Sequence, residues 1–259
     1  MDAIPVIYSF ARSGGTLVNQ LLGVHPQCLV LSEVNPTASY KSIVEQAVEW
    51  LELVETHEVE EFSHLPYQQK IITLHQRSAE HGKRLIVRDW VTVNFLPECA
   101  GDLIIPSGQL EQKLYLEHAG FESMPLVIVR RSAAVYESIK QNFLHLRNLK
   151  IEVFAESYLE YARAVTVFPR IHMETLRAQP DITLKKILQW LDLNPDDSRA
   201  LIKNFHDFKN CTGNTTLQAT SESANARQIL PPEVLNSPPP VFTGSHPALA
   251  EADRLLNYG

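Results

Sequence analysis

The pattern of apolar and polar positions along the chain alternates between two periods, one typical of buried strands and the other of amphipathic helices. The apolar run Ile4–Phe10 fits a strand, and apolar residues in Leu17–Val24 recur at helical spacing. Further strands are predicted at Cys28–Leu31, Lys83–Arg88, Pro125–Arg131 and Val165–Ile171. Helices are predicted near 40–55, 66–81, 110–118, 132–143, 151–164, 182–191, 195–205 and 247–256. This alternation predicts an α/β fold in which helices cover both faces of a central parallel sheet.

The composition of the chain is that of a globular protein. Its 259 residues include 44% hydrophobic and 20% charged residues. At this length roughly 70–75% of the unfolded chain's surface can be buried, so a core can form without disulfides or a structural metal. We expect one domain over residues 1–259, with a polar loop at 210–225. A proline-rich tail follows from residue 231, and its final helix is expected to pack on the domain.

The charge balance and the cysteine count argue against several classes of function. A formal net charge of −7 disfavours nonspecific binding to nucleic acid or to anionic membranes, which needs a basic face. Three widely spaced cysteines indicate a reducing compartment and no disulfide framework. The first residues lack the basic and apolar segments of a signal peptide, and no run reaches the ~18 apolar residues of a membrane span. The sequence therefore predicts a cytoplasmic protein.

The most informative segment is the turn Arg12-Ser13-Gly14-Gly15-Thr16, which connects the first strand to the first helix. The first N–H groups of a helix lack intrahelical partners and carry the positive end of the helix dipole, so this turn can bind an anion. Its glycines allow the backbone to approach a phosphate, its hydroxyl groups can donate hydrogen bonds, and Arg12 adds a permanent charge. The alternative is an ordinary glycine loop in which Ser13 caps the helix.

A second candidate anion site lies after the apolar strand at 125–131. Arg130 leaves this strand at its end, and Ser138 lies about two turns into the following helix. Because the carboxyl ends of parallel strands meet at one edge of a sheet, both side chains can converge on a phosphate near the glycine turn. The alternative is an arginine at a strand end that pairs with surface carboxylates.

Together these segments resemble the sulfotransferases that use 3′-phosphoadenosine 5′-phosphosulfate. The family's 5′-phosphosulfate loop has the form (K/R)SGTT or RSGST, which residues 12–16 match. Its 3′-phosphate motif is an arginine after an apolar strand and a serine eight residues later, matched by Arg130 and Ser138. The segment Phe168–Leu176, followed by Pro180, is similar to the family's YEDL segment. The resemblance covers most of the chain and implies a single-domain, three-layer fold of the P-loop-like kind.

Within the family, the chain looks closer to the carbohydrate, tyrosylprotein and bacterial enzymes than to the cytosolic phenol and steroid enzymes. This comparison rests on two features, the arginine of the loop and His25-Pro26 after the helix that follows the loop. Two departures stand out, since Gly15 replaces the first threonine of the TT pair and the RKGxxGDWK signature is missing. The loop Thr212–Gln228 would then cover the nucleotide, with Arg227 as a contact to the 3′-phosphate.

The resemblance also implies roles for residues. The co-substrate would be 3′-phosphoadenosine 5′-phosphosulfate, its product adenosine 3′,5′-bisphosphate, and no metal would be required. The turn would hold the 5′-phosphate, with Arg12 stabilising charge on the leaving group, while Arg130 and Ser138 would hold the 3′-phosphate. Glu33, after the second strand, is the first candidate for the base and Asp89 the second, although either could be a solvated loop carboxylate.

Several questions stay open at the level of sequence. The acceptor could be a small molecule, a carbohydrate or a peptide, and a homo-oligomer is as compatible with the sequence as a monomer. A small kinase on the same architecture is disfavoured, because the GxxxxGK[ST] motif and its magnesium ligand are missing. A nucleotide-binding protein that has lost the chemistry is the other alternative, and Gly15 favours it.

Overall fold

The computed structural model describes residues 3–97, 99, 104–213 and 246–258. Its strands form a five-stranded, all-parallel sheet in the order β2-β3-β1-β4-β5. The strands are β1 (Ile4–Ser9), β2 (Cys28–Val34), β3 (Arg84–Asp89), β4 (Ser123–Val129) and β5 (Arg170–His172). The predicted α/β class, a parallel sheet with helices on both faces, is therefore confirmed.

The helices of the described residues separate into two layers. They are α1 (Gly15–Gly23), α2 (Ile43–Glu45), α3 (Val59–His64), α4 (Tyr67–Glu80), α5 (Glu111–His118), α6 (Ser132–Asn142), α7 (Ile151–Val165), α8 (Met173–Ala178), α9 (Pro180–Trp190), α10 (Ser198–Asn204) and α11 (Pro247–Leu255). Helices α1, α8, α9 and α10 bury apolar residues on one face of the sheet. On the other face lie buried residues of α3 to α7 and of α11.

Strand β1 occupies the centre of the sheet and provides side chains to both cores. Ile4, Val6 and Tyr8 lie in one apolar cluster, and Ile7 lies in the other, because alternate residues of a strand point to opposite faces. Strands β3 and β4 flank β1, with Tyr8 opposite Asp89 in the register. The chain passes from β1 to one side of the sheet and, after β3, crosses to the other side. The crevice outside the carboxyl end of β1 is where open α/β sheets bind ligands.

Several predicted boundaries are wrong. Strand β2 continues to Val34, so Ser32 and Glu33 lie in the strand and not in a loop. The last strand is only Arg170–His172, because α7 extends to Val165 and residues 166–169 connect the two elements without strand pairing. The predicted helix at 40–55 is shorter, with α2 followed by a π-helical turn that ends at Trp50, and α3 and α8 were not predicted.

The part of the chain that the structure describes contains no helix both long and apolar enough to span a membrane. Within the same residues, no group of three or more His, Cys, Asp or Glu side chains could hold a metal ion. The predicted contact residue Arg227, most of the predicted loop at 210–225 and the proline-rich segment at 231–240 lie outside the described residues.

Candidate functional site

The glycine turn begins where β1 ends and closes into α1. Arg12 and Gly14 both have left-handed backbones, with φ of 67° and 98°. For Arg12 this conformation is strained, and such strain concentrates at functional sites. A Cβ atom on Gly14 would overlap the Sδ atom of Met173, so the position needs glycine for its space as well as its φ. Val18 N–H donates to the Gly14 carbonyl at 3.2 Å, which leaves the amides just before it in the unpaired first turn.

Ser13 occupies a different position from the one expected of a phosphate ligand. It is fully buried, and its N–H donates to the Phe10 carbonyl at 3.0 Å. Thr16, by contrast, is only partly buried. Of the two hydroxyl groups in the turn, that of Thr16 is therefore the one accessible to a ligand in this conformation.

Steric crowding explains why position 15 is a glycine. A Cβ atom there would overlap Ser9 Oγ and would lie only 2.9 Å from Arg88 Nε. A threonine at this position would force both side chains to move. The departure of Gly15 from the sulfotransferase loop therefore makes room for Arg88, and it is not by itself a sign of lost chemistry.

The structure brings the two candidate anion segments into contact. Arg12 Nε donates a hydrogen bond to Ser138 Oγ at 3.0 Å, although these residues are 126 positions apart. Arg130 Nη1 donates to the Arg12 carbonyl at 3.1 Å. Burial first, and then the Arg130 charge, lower the pKa of Arg12. The strand-end arginine thus adjoins the glycine turn, and it has no surface carboxylate as an ion-pair partner among the described residues.

Arg88 connects β3 and β2 to the glycine turn. Its Nη2 atom lies 2.5 Å from Glu33 Oε1, an ion pair whose side chains are 4% and 18% exposed. Its Nη1 atom donates to Ser32 Oγ at 3.0 Å, and Nη2 lies 3.5 Å from Thr16 Oγ1. Its Nε atom is buried, has no hydrogen-bond partner among the described residues and lies against Gly15. One donor of a buried guanidinium is therefore free beside the turn.

The sequence interpretation missed Arg88, although a signal was present. The residue follows Leu85-Ile86-Val87 in a strand that is otherwise apolar. A charge inside a buried strand requires a partner or a ligand, so an arginine in such a run is a candidate site residue.

Thr212, which follows α10 in the chain, contacts this network. Thr212 Oγ1 lies 2.8 Å from Ser32 Oγ, and the Thr212 N–H donates to the same oxygen at 3.0 Å. The Thr212 carbonyl accepts from Arg88 Nη1 at 3.4 Å and from Thr16 Oγ1 at 3.5 Å. The start of the predicted covering loop therefore does contact the turn, although its continuation lies outside the described residues.

Glu33 is held at a bulge near the end of β2. Its φ is 50°, and the pairing with β3 shifts register between Ser32 and Val34. Bulges and left-handed residues both redirect a side chain at the cost of strain. Oε1 accepts from Arg88, while Oε2 has no hydrogen-bond partner among the described residues. The bulge places one oxygen of this carboxylate in the charged network and leaves the other available.

Asp89 lies apart from Glu33, on the opposite face of β3 from Arg88, since adjacent residues of a strand point in opposite directions. Its side chain is fully buried, and Oδ1 accepts from Asn35 Nδ2 at 2.7 Å. Oδ2 has no partner among the described residues. Burial without a cation raises the pKa of Asp89 to about 8. The alternative that Asp89 is a solvated loop carboxylate is therefore wrong, while its role as a base stays a prediction.

Comparison with known proteins identifies the architecture. The sulfotransferase domain of the curacin biosynthetic pathway is 14% identical, and the match covers 100% of this chain and 99% of that chain with a TM-score of 0.66. The sulfotransferase domain of the Synechococcus PCC 7002 olefin synthase is 17% identical, with 98% and 93% covered and a TM-score of 0.61. The chain has the sulfotransferase fold. No protein-family model and no curated protein match the sequence.

The sulfotransferase fold explains why separate sequence segments form one site. Its sheet order places β1 between β3 and β4, so the turn after β1 meets Arg88 from β3 and Arg130 from β4. Of the predicted site residues, the turn, Arg130, Ser138 and Glu33 come together at this edge. Asp89 faces the other core. The resemblance to one branch of the sulfotransferases stays a prediction.

Proposed function

We propose that the protein is a sulfotransferase that moves a sulfuryl group from 3′-phosphoadenosine 5′-phosphosulfate to a hydroxyl or amine acceptor. The observation that carries this proposal is a glycine turn at which two arginines, Arg12 and Arg130, meet. Among the described residues, neither Arg12 nor Arg130 forms an ion pair. Partly buried positive charges without a counterion favour an anionic ligand.

The arrangement suits a nucleotide with phosphates at two positions. The first turn of α1, with Thr16 and Arg88, can hold one phosphate by backbone N–H groups and charged donors. Arg130 and Ser138, from β4 and α6, can hold the other. A nucleoside 3′,5′-bisphosphate core has this distribution of charge, which supports the proposed co-substrate over a nucleotide with phosphates at one end.

The chemistry follows from where charge develops. In-line sulfuryl transfer breaks the bond between the sulfur and a phosphate oxygen, and the leaving 5′-phosphate gains negative charge while the acceptor oxygen bonds to sulfur. Arg12 in the turn and Arg88 beside it carry positive charges that can stabilise this negative charge electrostatically. Because the arginines are fixed by Ser138 and Glu33, little reorganisation is needed.

Glu33 is proposed as the base that accepts the proton from the acceptor. Its Oε1 atom is held by Arg88, which orients the carboxylate, and Oε2 is the atom that can accept the proton. Asp89 is a weaker candidate, because it is fully buried and its raised pKa keeps it protonated at neutral pH. A small molecule, a carbohydrate and a peptide remain the acceptor classes that we propose to test.

The first experiment compares nucleotide affinities by isothermal titration calorimetry. We expect the protein to bind adenosine 3′,5′-bisphosphate more tightly than adenosine 5′-monophosphate or ATP with magnesium. Arg130→Ala should weaken bisphosphate binding roughly ten- to a hundredfold, because charged hydrogen bonds contribute about 1.5–3 kcal/mol, and should leave the monophosphate nearly unchanged. Arg131→Ala is the matched control, since that guanidinium lies 5.2 Å from the Tyr258 ring centroid and not at the turn.

Turnover separates the remaining alternatives. Radiolabelled 3′-phosphoadenosine 5′-phosphosulfate, incubated with a panel of hydroxyl and amine acceptors, should yield a labelled product. Preference for ATP would support the phosphoryl transferase instead. Tight bisphosphate binding without transfer to any member of the panel would support the non-catalytic nucleotide-binding protein.

A further inference from the structure

Arg177, on helix α8, belongs to a group of guanidinium side chains that includes Arg12 and Arg130. Burial first, and then repulsion from Arg130, lower the pKa of Arg177. The same two causes, in the same order, lower the pKa of Arg12. The charge of Arg130 therefore disfavours the charged form of both side chains, Arg12 in the glycine turn and Arg177 on α8.

Glu174 attracts Arg177 electrostatically but forms no ion pair with it among the described residues. Both of its oxygens accept hydrogen bonds from other groups. Oε1 accepts from the Arg131 N–H at 3.2 Å, and Oε2 accepts from the Tyr258 hydroxyl at 2.7 Å. Within the described part of the chain, Arg177 forms no hydrogen bond and no ion pair. Its donors therefore have no partner among the described residues.

The position of α8 brings Arg177 to the nucleotide site. The helix starts at Met173, directly after β5, and Met173 Sδ fills the space beside Gly14. Arg177 is four residues later, so it lies on the same face of the helix as Met173. This face adjoins the glycine turn, to which Arg130 is also bonded through the Arg12 carbonyl.

We propose that Arg177 is a second arginine of the 3′-phosphate subsite and binds that phosphate jointly with Arg130. The inference rests on the proposed function, and it adds a residue that neither the glycine turn nor the strand-end motif indicates. A phosphate monoester carries a charge of about −1.5 to −2 at neutral pH, which matches two guanidinium groups better than one. The pair would select a nucleotide with a 3′-phosphate over one with a 3′-hydroxyl.

The test measures dissociation constants of adenosine 3′,5′-bisphosphate and adenosine 5′-monophosphate for four proteins at one salt concentration. Arg177→Met keeps the aliphatic stem and removes the charge, and it should weaken bisphosphate binding roughly ten- to a hundredfold. The monophosphate should change by less than about threefold. Arg177→Lys should retain part of the affinity, because charge remains without the planar fork. Arg199→Met, whose side chain is 83% exposed on α10, removes the same charge and should behave as wild type.

Each outcome distinguishes this inference from the function on which it rests. If the wild-type protein does not prefer the bisphosphate, the proposed function itself fails. If it does, and Arg177→Met binds like wild type or loses equal affinity for both nucleotides, only the role of Arg177 is overturned. A double variant with Arg130→Ala should lose less than the sum of the single losses, because both arginines would bind one phosphate. Full additivity would refute the shared subsite, and Arg177→Lys carries the test should Arg177→Met fail to fold.

Discussion

Replacing Asp89 by asparagine should change how the stability of the protein depends on pH. The carboxyl is fully buried, one oxygen is bonded by Asn35, and none of the described ion pairs includes it. These surroundings raise its pKa from 3.8 to about 8. The folded state therefore binds a proton at neutral pH that the unfolded chain has released. Asparagine cannot ionise, and its carbonyl can accept the same hydrogen bond from Asn35.

The sign of the effect follows from proton linkage. Because the folded pKa is above the unfolded one, the stabilising contribution is complete below about pH 4 and is lost as the pH rises through about 8. Within this window each pH unit costs about 1.4 kcal/mol, which amounts to about 4 kcal/mol between about pH 5 and pH 8. This is a large share of the ~5–15 kcal/mol by which domains are stable.

Urea unfolding followed by tryptophan fluorescence measures this dependence. The free energy of unfolding of the wild-type protein, minus that of Asp89→Asn, should fall by about 1.4 kcal/mol per pH unit from about pH 5 to about pH 8 and then level off. The subtraction cancels the contributions of other titrating groups. Asp196→Asn, the same change at an exposed residue, is the matched control. A difference for Asp89→Asn that does not change with pH would refute the conclusion that burial raises the pKa of Asp89.

Two further predictions concern the glycine turn and the base. Gly15→Ala should destabilise the protein by about 1–3 kcal/mol, because the added Cβ atom would overlap Ser9 and approach Arg88. This loss should outweigh the usual gain from replacing a helical glycine. In a thermal unfolding assay, the double variant with Ser9→Ala should recover part of the lost stability. An unchanged melting temperature for Gly15→Ala would contradict the steric explanation. Glu33→Gln should lower kcat by roughly 10²–10⁴-fold while the bisphosphate dissociation constant changes little, and an acidic phenol acceptor should restore more rate than an aliphatic alcohol. Wild-type turnover with the alcohol would exclude Glu33 as the base.

Much of the fold was predictable because its signals are local. Hydrophobic periodicity located the strands of the sheet and most of its helices, including the last helix at Pro247–Leu255. The prediction of element boundaries failed where pairing between strands overrides hydrophobic periodicity. Ser32 and Glu33 look like loop residues in sequence, yet pairing with β3 continues through them to Val34 by means of a bulge.

The sequence by itself determined the α/β class, the strand-turn-helix unit around Arg12–Thr16 and the candidate arginine of β4, because each depends on residues that are neighbours in the chain. Only the tertiary structure decided which charged side chains lie close together at the site and which groups surround them. Arg88 and Glu33 are 55 positions apart, and their ion pair exists because β2 and β3 are adjacent in the sheet. The raised pKa of Asp89 and the lack of a partner for Arg177 among the described residues likewise depend on which groups the fold leaves within reach, and no local pattern encodes that.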